Sequence, residues 1–138
     1  MEGGPILVVE DNARNMTLLR DVLQATGYRT LQASTGREAL ALAAAHQPSV
    51  VLMDIRLPDM DGTEALRLLR TNERTASIAV LAVTAQAMAG DRERFLAAGF
   101  DGYLSKPIDI DALLAAVRAY SGRMGEGVEE AVRKGQNS

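Results

Sequence analysis

The chain contains no cysteine and no tryptophan, a single histidine, two phenylalanines and three tyrosines. Without cysteine it can form neither disulfides nor thiolate metal sites, and one histidine excludes any zinc site that needs two or more imidazoles. Any metal must therefore be held by oxygen. No apolar run approaches the roughly 18 residues of a membrane span. Met1–Pro5 lacks the basic start and long apolar stretch of a secretory signal, so a cytoplasmic protein with no membrane contact is expected. Positive charge is not in excess: Lys and Arg total 15 against 18 Asp and Glu, for a net charge of -3. The basic residues are scattered rather than banded, which argues against a nucleic-acid partner. What remains is an ordinary globular composition, 47% hydrophobic and 24% charged over 138 residues, with room for one folded domain.

The apolar residues fall into two alternating kinds of segment. Ile6-Leu7-Val8-Val9, Val50-Val51-Leu52-Met53 and Ala79-Val80-Leu81-Ala82-Val83 are unbroken and rich in β-branched residues, the pattern of parallel strands covered on both faces. Tyr28–Ala33 is a weaker run, expected at an edge, and Gly102-Tyr103-Leu104-Ser105 is a short fifth. Between them, apolar stripes at helical spacing include Leu18, Leu19, Val22 and Leu23, then Ala65, Leu66, Leu68 and Leu69, and finally Ile110, Leu113, Leu114 and Val117. Thr35 and Asp61 each precede a glutamate by three residues, as in a capping box, and Asp109 is a third cap candidate. Gly27 and Gly99 stand where helices want a left-handed terminator. The expected fold is α/β, a doubly wound five-stranded parallel sheet with helices on both faces.

In such sheets ligands bind beyond the carboxyl ends of the strands, where the winding direction reverses. The first strand is followed by Glu10-Asp11, the third by Asp54, the fourth by Thr84 and the fifth by Ser105-Lys106-Pro107, while the second ends in nothing charged. With strand order 2-1-3-4-5, the bare strand lies at the edge and Glu10, Asp11 and Asp54 meet at the reversal. A lone acid after a strand is ordinarily a solvated turn or a helix cap. Three converging acids repel one another unless a cation joins them, and oxygen ligands with one lysine nearby describe Mg2+ with retained waters. The formal charges of three carboxylates, Mg2+ and Lys106 sum to zero, which leaves the site ready to take a phosphoryl group.

From Pro5 to about Tyr120 the chain resembles the receiver domain of two-component response regulators, which are flavodoxin-like. The residues that carry this are Val8-Val9-Glu10-Asp11-Asn12, Leu52-Met53-Asp54-Ile55-Arg56-Leu57-Pro58-Asp59-Met60-Asp61-Gly62, Val83-Thr84-Ala85 and Tyr103-Leu104-Ser105-Lys106-Pro107. Asn15-Met16, Ala87-Met88-Ala89-Gly90-Asp91 with Glu93-Arg94, and Pro107-Ile108 look most like DivK-type single-domain regulators and the receivers of hybrid kinases. The resemblance implies that Asp54 accepts a phosphoryl group from the phosphohistidine of a sensor histidine kinase or histidine phosphotransfer protein. An aspartate, ionised at neutral pH, needs no general base for this. It further implies that Asp11, Asp54 and the main-chain carbonyl of Arg56 bind Mg2+, with Glu10 acting through water. Lys106 would neutralise developing charge, and Thr84 and the amide of Ala85 would contact the phosphoryl oxygens. Thr84 and Tyr103 form the implied switch, which alters a surface built from the fourth helix, fifth strand and fifth helix. A cis peptide is implied between Lys106 and Pro107.

Two departures stand out: Glu10 replaces the first of two aspartates, and Arg56 and Gln86 occupy the positions that flank the phosphoryl group. An aspartate-nucleophile phosphatase of the haloacid dehalogenase type is the alternative from another class. Its chemistry wants a second acid two residues after the nucleophile, where this chain has Arg56. A receiver-like docking module that works without phosphorylation is the third reading. Conventional turnover catalysis is not expected, since a receiver catalyses only its own phosphorylation and dephosphorylation. His46, Arg67, Arg70, Arg92 and Arg94 read as solvated surface, and Phe95 and Phe100 as core. Residues 1–120 form the expected receiver unit. Residues 121–138, where Ser121-Gly-Arg-Met-Gly-Glu-Gly is glycine-rich, read as a flexible C-terminal tail, so that output passes through a surface offered to another protein.

Overall fold

In the computed structural model, the three unbroken apolar segments and the two weaker ones lie side by side as one parallel sheet, in the order β2-β1-β3-β4-β5. The structure describes residues 4–85 and 90–121; Gln86, Met88 and the stretch 122–138 lie outside them. The elements alternate without exception: β1 (Ile6–Val9), α1 (Ala13–Ala25), β2 (Thr30–Ala33), α2 (Gly36–His46), β3 (Val50–Asp54), α3 (Gly62–Thr71), β4 (Ala79–Thr84), α4 (Asp91–Ala98), β5 (Gly102–Ser105) and α5 (Ile110–Ser121). No helix among the described residues is long and apolar enough to cross a membrane. The helix α5 runs through Ser121, one residue into the stretch read as tail.

Successive strand residues point to opposite faces, and the sheet sorts its side chains accordingly. Leu7, Val9, Val51, Met53, Val80 and Ala82 pack against Ala39, Ala43, Ala65, Leu66, Leu69 and Phe95 from α2, α3 and α4. On the other face, Ile6, Val8, Val50, Leu52, Leu81 and Val83 pack against Leu19, Leu23, Leu113 and Val117 from α1 and α5. Helices before β3 and after β1 therefore lie on opposite faces, and the winding reverses between β1 and β3. Burial on both faces is the reason these strands carry no polar alternation.

The strand β2 begins two residues later than its apolar pattern suggests. The amide of Tyr28 donates to the carbonyl of Leu23 at 3.0 Å, and Gly27 takes φ +105°, so Tyr28 completes the end of α1 rather than starting the strand. Thr35 caps α2 by accepting from the amide of Glu38 at 3.1 Å, but the Glu38 carboxylate reaches Ser34 instead of Thr35. Asp61 caps α3 through the amide of Thr63, while Glu64 turns to Arg67. Asp109 accepts from the amides of Asp111 and Ala112 at the start of α5. A further cap, Asn12 accepting from the amide of Asn15 at 2.9 Å, opens α1.

Arg70 departs from the solvated-face reading. Its Nη1 donates to the carbonyls of Ala76 and Ile78 at 3.0 and 2.6 Å, and its Nη2 to the carbonyl of Gly99 and to Asp101 Oδ2, both at 3.1 Å. Asp101 Oδ2 also accepts from the amide of Val80 at 2.8 Å, and Tyr120 donates to the Asp101 carbonyl at 3.0 Å. One guanidinium thus ties α3, the entry to β4, the end of α4 and the entry to β5 together at the amino end of the sheet.

Candidate functional site

The register carries the polar residues to the opposite, carboxyl end. Val9 lies beside Met53, and Asp54 beside Val83, so Glu10 and Asp54 emerge from neighbouring strands. Thr84 is level with Ser105 on β5, immediately before Lys106. The ladder continues past the strands, with the amide of Lys106 donating to the Thr84 carbonyl at 2.8 Å and that of Glu10 to the Ala33 carbonyl at 3.0 Å. Lys106–Pro107 is a cis peptide.

Glu10 and Asp54 are 2% and 6% exposed, and Asp11 is exposed. Carboxylate oxygens of Glu10, Asp11 and Asp54 all lie within 4.8 Å of one another. Lys106 Nζ is 3.1 Å from Glu10 Oε1 and 3.2 Å from Asp54 Oδ2. The cation is shared: its hydrogen bond to Glu10 falls on Oε2 at 3.5 Å, and the buried Oε1 makes no hydrogen bond. Asp54 Oδ1 accepts from the amide of Arg56, and Glu10 Oε2 from that of Asn12, both at 3.2 Å. Burial, followed by the negative charge of Asp54, pushes the Glu10 carboxyl up from its usual range; Lys106 and the Asn12 amide only partly oppose this. Burial works to lower Lys106, but its hydrogen bond to Glu10 and the charges of Asp54 and Glu10 outweigh it, and the ammonium is held above its usual value. The excess of negative charge, the all-oxygen donor set and the unbonded buried oxygen fit a small divalent cation.

The loop that follows β3 is shaped by Gly62. A Cβ at that position would sit 2.6 Å from the Asp54 carbonyl oxygen and 2.8 Å from Ile55 Cα, so only glycine lets α3 start directly beneath Asp54. The amide of Gly62 closes the loop onto the Ile55 carbonyl at 2.7 Å, and Arg56 forms an isolated bridge with Asp61. The resulting cleft has a volume of about 560 Å³ and is lined by all three acids, Thr84, Ala85 and Lys106. Asn12, Asn15, Ile55, Arg56, Asp61, Arg94 and Phe95 line the rest of it. Asp61 had a visible signal only as a helix cap. Arg94 reaches the cleft from α4, whose start at Gly90 has no side-chain cap to mark it. Tyr103 is half-buried on β5, its ring 5.8 Å from that of Phe95, which itself lines the cleft. Gln86 is outside the described residues.

Comparison with known proteins gives the same assignment. Residues 6–118 match the family model described as the response regulator receiver domain. The polar-differentiation response regulator DivK of Brucella ovis is 44% identical over 117 residues, covering 85% of this chain and 95% of its own length. Among solved structures, the receiver domain of the sensor histidine kinase PA1611 from Pseudomonas aeruginosa, with a magnesium ion coordinated in its active-site cleft, is 38% identical with a TM-score of 0.79. That match covers 87% of this chain and 98% of that one. The chemotaxis protein CheY4 of Vibrio cholerae is 27% identical with a TM-score of 0.79, covering 86% and 98%. Sheet order, the acidic cluster with its lysine, and a family match across most of the chain converge on one conclusion: the chain belongs to the response regulator receiver domain family, signalling domains that act with histidine kinases and are not conventional turnover enzymes.

Proposed function

We propose that the cleft accepts a phosphoryl group on Asp54 from the phosphohistidine of a sensor histidine kinase or histidine phosphotransfer protein. The observation that carries this reading is the pairing of a buried aspartate with Lys106 Nζ 3.2 Å from its Oδ2, beside two further acids at the switch point of the sheet. An Asp54 carboxylate oxygen attacks phosphorus, the P–O bond forms, and the P–N bond breaks with its electron pair leaving on the imidazole. Lys106 offers charge to the transferring oxygens, with the Thr84 hydroxyl and Ala85 amide as further donors. Glu10, Asp11 and Asp54, with the main-chain carbonyl of Arg56, would hold Mg2+, Glu10 through water. That ion supplies neutralisation of the charge that develops on the phosphoryl group. Catalysis is then confined to the domain's own phosphorylation and dephosphorylation, and Arg56, which lines the cleft, would influence water access.

The readout belongs to α4, β5 and α5. A phosphoryl group of about -1.5 to -2 charge gives the Thr84 hydroxyl a new acceptor, and Tyr103, half-buried beside Phe95, turns inward to fill the space that Thr84 leaves. Leu96 and Tyr120, 39% and 40% exposed, stand on that surface as contacts for a protein target rather than for nucleic acid. A phosphohistidine donor of this kind puts the protein in the cytoplasm. The test is incubation of the chain with acetyl phosphate and Mg2+, followed by mass measurement. Gain of one phosphoryl group, lost in Asp54→Asn, is expected. Uptake undiminished in Asp54→Asn would move the acceptor to another residue, and none in the wild type would return the protein to the docking-module reading.

A further inference from the structure

The loop that links Asp54 to α3 is fastened at its tip as well as at its base. Asp59 Oδ1 accepts from the amide of Gly36 at 2.8 Å, and Oδ2 from the amide of Arg37 at 3.0 Å. These are the first two amides of α2, both without a partner inside the helix. With Thr35 taking the amide of Glu38, the opening turn of α2 is satisfied, two parts of it by a loop more than twenty residues away in sequence. Met60 strengthens the same contact. A Cβ on Gly36 would lie 2.6 Å from Met60 Cγ and 2.7 Å from Sδ, so the glycine leaves the space in which the methionine lies across the helix start.

At the base, the Ile55 carbonyl accepts from Gly62 and Arg56 bridges Asp61, while Asp54 Oδ1 accepts from the Arg56 amide. Arg56 thus sits between two attachments, one to β3 and α3 and one, three residues on, to α2. A peptide whose carbonyl must point at a metal has to be held from both sides, since free rotation of the plane would scatter that oxygen.

We propose that Asp59 is a positioning residue for the cleft: by gripping the start of α2, it holds the loop in the conformation that presents the Arg56 carbonyl to Mg2+. This rests on the reading of the cleft given above. Coupling between sites is reciprocal, so a loop that α2 steadies for the metal is a loop through which the metal steadies α2.

Mg2+ affinity, followed by the amide resonances of Asp11 and Asp54 in the full chain, is expected to fall about five- to tenfold in Asp59→Ala. That is below the effect of a residue bonded directly to a metal ligand. Saturating Mg2+ should slow hydrogen exchange at Gly36 and Arg37 in the wild type and leave it unchanged in Asp59→Ala. Asp59→Asn, which keeps one acceptor oxygen, should restore part of the affinity. Thr35→Ala weakens the same helix start without touching the loop and should leave Mg2+ affinity unaltered. The proposal is overturned if Asp59→Ala binds Mg2+ within twofold of the wild type, if exchange at Gly36 and Arg37 ignores Mg2+, or if Thr35→Ala weakens the metal as much. Wild-type Asp11 and Asp54 resonances that do not move with Mg2+ would overturn the cleft assignment itself, and this inference with it.

Discussion

Arg70 Nη2 donates to Asp101 Oδ2 at 3.1 Å at the end of the sheet remote from the cleft, and the same carboxylate oxygen accepts the amide of Val80. The pair is a hub rather than a surface ion pair, because the guanidinium also satisfies three carbonyls that the turn before β4 and the end of α4 would otherwise leave to solvent.

Arg70→Ala should therefore destabilise the fold by about 2 kcal/mol, well above the median for an exposed ion pair. Urea denaturation measures this, and Mg2+ affinity measured alongside should stay within twofold of the wild type. A loss under about 0.5 kcal/mol would return Arg70 to the solvated-face reading.

Lys106→Met removes the cation shared by Glu10 and Asp54 while keeping the length of the chain's apolar stem. Mg2+ should bind more tightly, since the ion then faces the acids without a competing positive charge. Phosphorylation by acetyl phosphate should slow by about 10²-fold, the cost of losing one preorganised charge donor. A Mg2+ titration and a time course on the same preparation separate the two effects.

Gly62→Ala places a methyl group against the Asp54 carbonyl and Ile55 Cα, both backbone and unable to yield cheaply. A loss of stability of about 1 to 3 kcal/mol is expected. Phosphorylation should fall as well, because the displaced atoms belong to the acceptor residue. Thermal melts and acetyl phosphate uptake check the two halves of this expectation.

The amides of Arg37 and Gly36 hold the Asp59 carboxyl below the usual aspartate range. A group whose folded value is depressed contributes stability that is present above its unfolded value and lost as pH falls through the folded one. Asp59→Asn should flatten the acid limb of the stability curve below about pH 4 and leave its neutral plateau shape unchanged. The difference between wild-type and variant urea midpoints across that range reads it directly.

The parts of this molecule that were legible in its sequence are those that depend on runs and spacing. Val50–Met53 could only be a strand covered on both faces, and the acids and lysine that follow the strands fell into one cleft once the winding was known. Contacts between distant loops left no such trace. Asp59 carries no signal that it caps a helix which starts 23 positions earlier, and Arg70 looks like any helical arginine until Asp101 is brought beside it. The early start assigned to β2 failed for a related reason: Tyr28 has the side chain of a strand residue, while its amide is already committed to Leu23.

The hub at Arg70 and the acidic cleft lie at opposite ends of β4, whose six residues separate them by about 20 Å. Energies of changes that far apart add rather than interfere. A stability cost incurred at the cleft, such as that expected of Gly62→Ala, should therefore add to one incurred at Arg70 without amplifying it.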